Sequence, residues 1–151
     1  MNIGLISDTH GLLRPEALGA LQGSDLIVHA GDIGSPDVLD ALRELAPLVA
    51  IRGNNDTAPW ARELPDTLTF DAGGRHVHLL HDLKTLAIEP RADGIAVVVS
   101  GHSHKPKIER RDGALYVNPG SAGPRRFSLP VTVATLRIDG ADTDAKLIGL
   151  P

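Results

Sequence analysis

The chain has 151 residues and a mass of 15.9 kDa, which predicts a single domain over residues 1–151. It contains no cysteine, so disulfide scaffolds, thiolate metal sites and thiol catalysis are excluded. A formal net charge of −4 and an aromatic fraction of 3% argue against general nucleic-acid binding and against binding to anionic membranes. The N-terminus lacks a signal-peptide pattern, and no apolar stretch reaches the roughly 20 residues of a membrane helix, so we expect a cytoplasmic protein.

The first third of the chain alternates between buried strands and short helices. Strands are predicted at residues 2–6, 25–29 and 48–51, and helices at residues 15–21 and 35–45. Ser35 is the expected N-cap of the second helix, and Pro36 suits its first turn. This β-α-β-α-β order predicts parallel strands that are joined by right-handed crossovers.

The rest of the chain is predicted to be mostly antiparallel. Three hairpins are expected around turn residues, and they pair residues 67–70 with 76–80, 107–110 with 114–117, and 131–138 with 145–150. The continuous β-branched run Ala96–Val99 is expected to be a central strand. A domain that holds both patterns predicts two packed sheets with helices outside them.

Polar side chains follow five of these strands at the point where each strand ends. The segments are Ser7-Asp8-Thr9-His10, Gly31-Asp32, Gly53-Asn54-Asn55-Asp56, His81-Asp82 and Gly101-His102-Ser103-His104. Each segment taken alone could be a turn or a helix cap. Because ligands bind outside the carboxyl ends of strands in open α/β sheets, the five segments together predict one shared site.

This group of residues offers three imidazoles or more, two carboxylates and an amide oxygen. The candidate metal ligands are Asp8, His10, Asp32, Asn54, His81, His102 and His104. A mixed nitrogen and oxygen set suits manganese, iron, zinc, nickel or cobalt better than calcium or magnesium. Seven ligands are too many for one catalytic ion and suit two ions, which lie about 3.5–4 Å apart in known dinuclear sites.

Together these motifs resemble those of the calcineurin-like metallophosphoesterases, over nearly the whole chain. The short length and the segment Asn118-Pro119-Gly120-Ser121 are similar to the small bacterial and archaeal phosphodiesterase branch. The resemblance implies an α/β fold, a four-layer α-β-β-α sandwich of two mixed sheets. It also implies a dinuclear phosphoesterase in which a metal-bridging hydroxide attacks phosphorus in line with the leaving oxygen.

The resemblance also implies a role for each ligand. Asp8, His10 and His104 would hold the first metal, and Asn54, His81 and His102 the second. Asp32 would bridge the two ions. Manganese is the expected metal, with nickel, zinc, iron or cobalt as alternatives.

The third and fourth motifs depart from the pattern of many relatives. Asn55 stands where many relatives carry a histidine that protonates the leaving group or contacts phosphate, and an amide cannot donate a proton to an alkoxide. Asn55 and Asp56 are the candidate catalytic residues, with Asp56 expected close to position 55. Many relatives also have a glycine after the fourth-motif histidine, where this chain has Asp82-Leu83.

Other polar residues are given weaker roles. His76 and His78 share one strand face and could form a metal pair, but they lie too early in the strand to reach the site. His29 is expected to be a hydrogen-bonded residue of the core or near the site. Arg125 and Arg126 could bind a substrate phosphate or form a solvated surface pair.

Three functions remain open at this stage. The first is metal-dependent hydrolysis of a phosphodiester or an activated phosphomonoester, and the filled ligand set favours it. The second is a protein-interaction scaffold, because a eukaryotic retromer subunit resembles the same fold. The third is a dinuclear hydrolase that acts on a bond other than a phosphoester. Self-association into a homo-oligomer stays open for each.

Overall fold

Ten strands form two five-stranded sheets in the computed structural model, which describes residues 1–151. In chain order the strands are β1 (Asn2–Ile6), β2 (Leu26–His29), β3 (Leu48–Ala50), β4 (Thr67–Ala72), β5 (Arg75–Leu80), β6 (Ile95–Val99), β7 (Lys107–Arg111), β8 (Ala114–Asn118), β9 (Thr132–Asp139) and β10 (Asp142–Gly149). The first sheet has the order β10-β9-β1-β2-β3, and the second has the order β4-β5-β6-β8-β7. Both sheets are mixed, as expected.

The β-α-β-α-β start of the chain is confirmed. Strands β1, β2 and β3 pair in parallel, and helices α1 (Pro15–Leu21) and α2 (Pro36–Arg43) connect them. The Ser35 hydroxyl caps α2 by accepting a hydrogen bond from the Asp37 backbone N–H. The helix ends at Arg43 rather than at Leu45, because a proline follows at position 47 and disfavours helical backbone just before it.

The three hairpins are also confirmed, but they do not share one sheet. The first two hairpins, β4-β5 and β7-β8, lie on either side of β6. Strand β6 is fully buried and pairs in parallel with β5 and β8, which confirms its central position. The third hairpin, β9-β10, instead extends the first sheet, where β9 pairs antiparallel with β1.

Apolar side chains fill the space between the two sheets and the space beneath the helices. A cluster of 17 buried residues, which includes Leu5, Val97 and Leu136, joins the inner faces of the sheets. A second cluster of 13 residues packs α1 and α2 against the outer face of the first sheet. Neither helix is long and apolar enough to cross a bilayer.

The fourth layer of the sandwich is thin. Leu80, Ile95 and Val98 form a small cluster on the outer face of the second sheet, and Leu83 is among the side chains that pack on it. Leu83 belongs to a short 3₁₀ helix, Leu83–Thr85, and a second 3₁₀ helix spans Pro59–Ala61. The sequence predicted neither, since one turn shows no hydrophobic period. The α/β sandwich of two mixed sheets is confirmed, with the short turn Leu83–Thr85 in the outer layer on the second sheet.

Candidate metal centre

The loops after β1, β2, β5 and β6 bring six of the seven candidate ligands into two adjoining groups. The first group is Asp8, His10 and His104, and the second is Asp32, His81 and His102. Within each group the potential ligand atoms lie within 4.8 Å of one another. Asn54 lies exposed on the neighbouring loop after β3. The groups have the same membership that the family resemblance implied for the two metals, apart from Asn54 and the bridging role of Asp32.

Asp32, a member of the second group, also adjoins the first group. Its Oδ2 atom is 3.2 Å from His81 Nε2 and 3.8 Å from His10 Nε2, so one carboxylate oxygen faces both sides. Burial by itself would raise the pKa of Asp32, but the adjacent His81 ring and the hydrogen bonds from Asn55 hold that pKa well below its ordinary value. The carboxylate is therefore ionised throughout the physiological range.

Asp8 has one oxygen that is held and one that is free. Its Oδ2 accepts hydrogen bonds from the Ser7 hydroxyl at 2.7 Å and from the His102 backbone N–H at 3.1 Å. Its Oδ1 has no hydrogen-bond partner and lies 3.4 Å from His104 Nε2. The protein thus fixes the carboxylate through one oxygen and leaves the other available to a cation.

Three buried polar atoms that face one another here have no hydrogen-bond partner: Asp8 Oδ1, and His10 Nε2 and His81 Nε2, which lie 3.9 and 3.8 Å from it. Buried polar atoms are nearly always paired, because an unpaired one costs about 1–3 kcal/mol. Three unpaired atoms of metal-ligating type that converge on one place fit divalent ions. The nitrogen and oxygen donors match the preference of first-row transition metals.

His81 is set in the tautomer that a metal ligand needs. Its Nδ1 lies 2.7 Å from the Ala30 carbonyl oxygen, which can only accept, so Nδ1 donates and Nε2 keeps its lone pair. Burial lowers the pKa of His81, but the adjacent Asp32 carboxylate, the Ala30 carbonyl and the charge of Asp8 outweigh burial and leave that pKa raised. Without a cation, the nearby carboxylates therefore favour a proton on this ring.

The backbone is strained at the ligands. Five residues of the two groups have positive φ angles: 55° at Asp8, 46° at His10, 56° at Asp32, 70° at His102 and 62° at His104. Such angles are uncommon outside glycine and cost about 1–3 kcal/mol each, and they concentrate at functional sites. The fold tolerates this strain where it directs imidazoles and carboxylates at one point.

Three residues support the ligand loops and were not singled out as functional by the sequence. The Ser7 hydroxyl holds Asp8, and the Ser121 hydroxyl donates to the Asp8 carbonyl at 3.0 Å. The Asn118 side-chain amide donates to the Gly101 carbonyl and to Ser103 Oγ, which fixes the loop between His102 and His104. The Asn118-Pro119-Gly120-Ser121 segment was the available signal, and the structure shows what it contacts.

Asn55 and Asp56 have different surroundings from those the sequence suggested. The Asn55 side-chain amide donates to Asp32 Oδ2 at 3.0 Å, and its backbone N–H donates to Asp32 Oδ1 at 3.0 Å. The buried Asp56 carboxylate accepts backbone N–H groups of Ile33, Gly34 and Gly53. Asp56 therefore joins two loops of the site, and its oxygens are not turned towards position 55.

The remaining histidines lie outside the two groups. His78 is buried against Thr69 Oγ1 at 2.7 Å, and the largely exposed His76 lies 3.5 Å from Asp71. His29 accepts the Gly31 backbone N–H and contacts Thr9 Oγ1. Burial lowers the pKa of His29 to about 3, with the charge of His81 acting in the same direction, so this ring is neutral.

Arg125 and Arg126 are exposed on the loop after β8. Burial lowers the pKa of His104, and the Asp8 carboxylate opposes that effect. The positive charge of Arg126 lowers the pKa of His104 further, so this guanidinium is near enough to influence the charge of the first group.

The chain is similar to known proteins over nearly its whole length. A family model described as the calcineurin-like phosphoesterase superfamily domain matches residues 1–141. A probable metallophosphoesterase of Methanothermobacter thermautotrophicus is 39% identical, and the match covers 98% of this chain and 92% of that protein.

Solved structures show the same fold. A structure described as a novel archaeal phosphodiesterase superposes with a TM-score of 0.82 and 25% identity, covering 99% of this chain and 100% of that one. Vps29 of Entamoeba histolytica, solved with zinc, has a TM-score of 0.74 and 22% identity, covering 99% of each chain. At that identity the Vps29 likeness shows the fold alone.

Proposed function

Because the chain belongs to the calcineurin-like phosphoesterase superfamily, we propose that it is a dinuclear metal-dependent phosphodiesterase. One observation carries this proposal: two three-residue groups adjoin at Asp32, and three buried metal-ligating atoms beside it, Asp8 Oδ1, His10 Nε2 and His81 Nε2, have no hydrogen-bond partner. A hydrolase that acts on another bond could use the same ions, but the phosphodiesterase among the similar structures favours phosphorus.

The candidate ligands fall into one set for each ion. Asp8, His10 and His104 would hold the first ion, His81 and His102 with the Asn54 amide the second, and Asp32 would contact both. Two such ions supply positive charge for the phosphoryl oxygens and lower the pKa of a coordinated water. Manganese is the metal we expect, with nickel, zinc, iron or cobalt as alternatives.

Asn55 acts on the site through Asp32. Its two hydrogen bonds hold both oxygens of that carboxylate and so fix its orientation between the two groups. An amide has no proton to give to a leaving alkoxide, so Asn55 is a positioning residue in this proposal. The preferred substrates are therefore diesters with a leaving group that departs without protonation.

The test is the Asp32→Asn variant, which removes a negative charge from between two cations. We expect the manganese-loaded variant to retain fewer than two ions per chain and to lose several orders of magnitude in kcat on an aryl phosphodiester. His76→Ala is the matched control, because His76 is largely exposed and outside both groups. Ion content is measured by elemental analysis after gel filtration.

Two outcomes would overturn the proposal. An Asp32→Asn protein that keeps two ions and normal turnover would show that Asp32 is not shared between them. A natural protein that binds two ions but hydrolyses no aryl phosphate ester would instead favour a scaffold, as the fold shared with Vps29 allows.

A further inference from the structure

Three of the four lysines of the chain lie around one groove beside the candidate metal centre. They are Lys84, Lys105 and Lys107, whereas the fourth, Lys146, lies on β10 beside Asp144 and Arg137 and lines a separate depression. The chain as a whole is acidic, with a formal net charge of −4. A concentration of lysines at one place in an acidic protein points to an anionic ligand there.

The groove has a volume of about 730 Å³, which is within the range of small-molecule sites. The 3₁₀ turn that begins at Asp82 forms one wall, and the loop from Gly101 to Lys105 forms another. Its floor is the outer face of β7 and β8, where Glu109 pairs in register with Tyr116. The groove is thus lined by two strands, one short turn and the loop that carries His102 and His104.

The charges in the groove leave a positive excess. Arg111 and the three lysines outnumber the two acids, Asp82 and Glu109. Hydrogen bonds from Arg111 and Lys107 lower the pKa of Glu109, and its carboxylate lies 3.0 and 3.3 Å from these two cations. Lys84 and Lys105 have no carboxylate at ion-pair distance, so their ammonium groups remain available to a ligand.

The groove adjoins the metal centre at His102. This histidine belongs to the second ligand group, and it also lines the groove. Its Nε2 lies 3.8 Å from Asp82 Oδ2 on the groove wall. An ester arm that extends past His102 from a phosphodiester at the metal centre would enter this groove and approach the lysines.

We propose that the groove binds a second phosphate carried on one ester arm of the substrate. This inference rests on the phosphodiesterase activity proposed above and narrows its substrate class to diesters with an additional phosphoryl group. Lysine ammonium groups bind phosphate as flexible point charges, and two of them here are unpaired. Arg111 is held by Glu109 and lies 4.9 Å over the Tyr116 ring, so it shapes the floor of the groove.

The test compares three synthetic diesters that all release 4-nitrophenolate from the same phosphorus. Their second arms are ethyl, 2-phosphonoethyl and 2-trimethylammonioethyl, which are neutral, anionic and cationic. The carbon–phosphorus bond of the phosphonate is not hydrolysed, so the released 4-nitrophenolate measures cleavage of the diester bond only. We expect the anionic arm to lower KM roughly tenfold relative to ethyl, with kcat little changed, and the cationic arm to raise KM. Added salt should reduce both differences.

Lysine variants assign the effect to the groove. In Lys84→Gln and Lys105→Gln we expect the KM advantage of the phosphonate arm to fall roughly two- to fivefold each, with the ethyl ester unaffected. Lys146→Gln is the matched control and should behave as the natural protein. Arg126→Gln is a second comparison, because Arg126 lies near the first ligand group and could bind the same arm.

The outcomes separate the two proposals. If the ethyl ester is not hydrolysed at all, the phosphodiesterase proposal fails. If the ethyl ester is hydrolysed but the three arms show equal KM values, the groove proposal alone is wrong. It is also wrong if the phosphonate advantage survives in both lysine variants or disappears only in Arg126→Gln.

Discussion

At the scale of single residues, the site depends on hydrogen bonds that leave chosen atoms free. Asp8 is held through Oδ2 and His81 through Nδ1, and in each the other atom has no partner. The sequence patterns predicted that these carboxylate and imidazole residues directly follow the ends of strands. It could not predict which atom of each side chain would be held, because the partners come from distant segments such as Ala30 and His102.

Position 55 gives a prediction about the leaving group. Asn55 cannot supply a proton, and a positioned general acid contributes typically 10²–10⁴-fold. We therefore expect the rate to depend steeply on the pKa of the leaving group, with nitrophenyl esters fast and alkyl esters slow. Asn55→His should flatten this dependence and improve alkyl esters most. Rates for a series of aryl and alkyl diesters on both proteins measure the two slopes.

The structure limits how large that gain can be. Replacing Asn55 removes the hydrogen bond from its side chain to Asp32 Oδ2, and Asp56 has no free oxygen to orient a new ring. Asn55→Ala separates these effects, since it loses the hydrogen bond without gaining an acid. A shallow slope in the natural protein would show that another group donates the proton.

At the scale of elements, strands were easier to predict than their assembly. The apolar runs and the glycine-containing turns predicted all ten strands to within a few residues. Their patterns did not show that β9-β10 would pair with β1, because a hairpin has the same alternation in either sheet. The positive φ angles at five ligands could not be predicted either, since aspartate and histidine, although they adopt this conformation more often than most residues, do so only in a minority of cases.

Asp56 shows how two loops of the site are joined. Its buried carboxylate accepts hydrogen bonds at 2.9–3.1 Å from backbone N–H groups of the loop after β2 and the loop after β3. Asp56→Asn would turn an amide N–H₂ towards at least one of these donors. We expect a loss of about 2–3 kcal/mol in the free energy of unfolding, measured by urea titration of the metal-free protein.

Asp40→Asn is the control for this prediction. Asp40 is an exposed carboxylate on α2 that pairs only with Arg43 at 3.3 Å, and such a pair contributes little. Equal stability losses in the two variants would show that Asp56 does not anchor the loops. If Asp56→Asn leaves the free energy of unfolding unchanged but weakens metal binding, Asp56 shapes the metal centre without stabilising the fold.

At the scale of the whole molecule, the ligands join segments that are far apart in the chain. Asp8 contacts the backbone of His102, and His81 contacts Ala30, so the metal centre connects both sheets. These segments also hold the strained backbone and the unpaired buried atoms. An ion that binds the folded protein and not the unfolded chain would therefore stabilise the entire domain.

This linkage gives a prediction for thermal unfolding. At a free manganese concentration about a thousand times Kd, binding adds about 4 kcal/mol, which is roughly 10 °C in Tm for a domain of this size. The increase in Tm should vanish in chelator and be smaller in Asp32→Asn, whereas His76→Ala should match the natural protein.

The increase in Tm should also become smaller as the pH falls. The pKa of His81 is raised, so below that pKa protons compete with the metal ion for its ring. Differential scanning calorimetry at several pH values, with and without manganese, measures these changes in Tm. A Tm unchanged by manganese, nickel, zinc, iron and cobalt at neutral pH would contradict the metal centre itself.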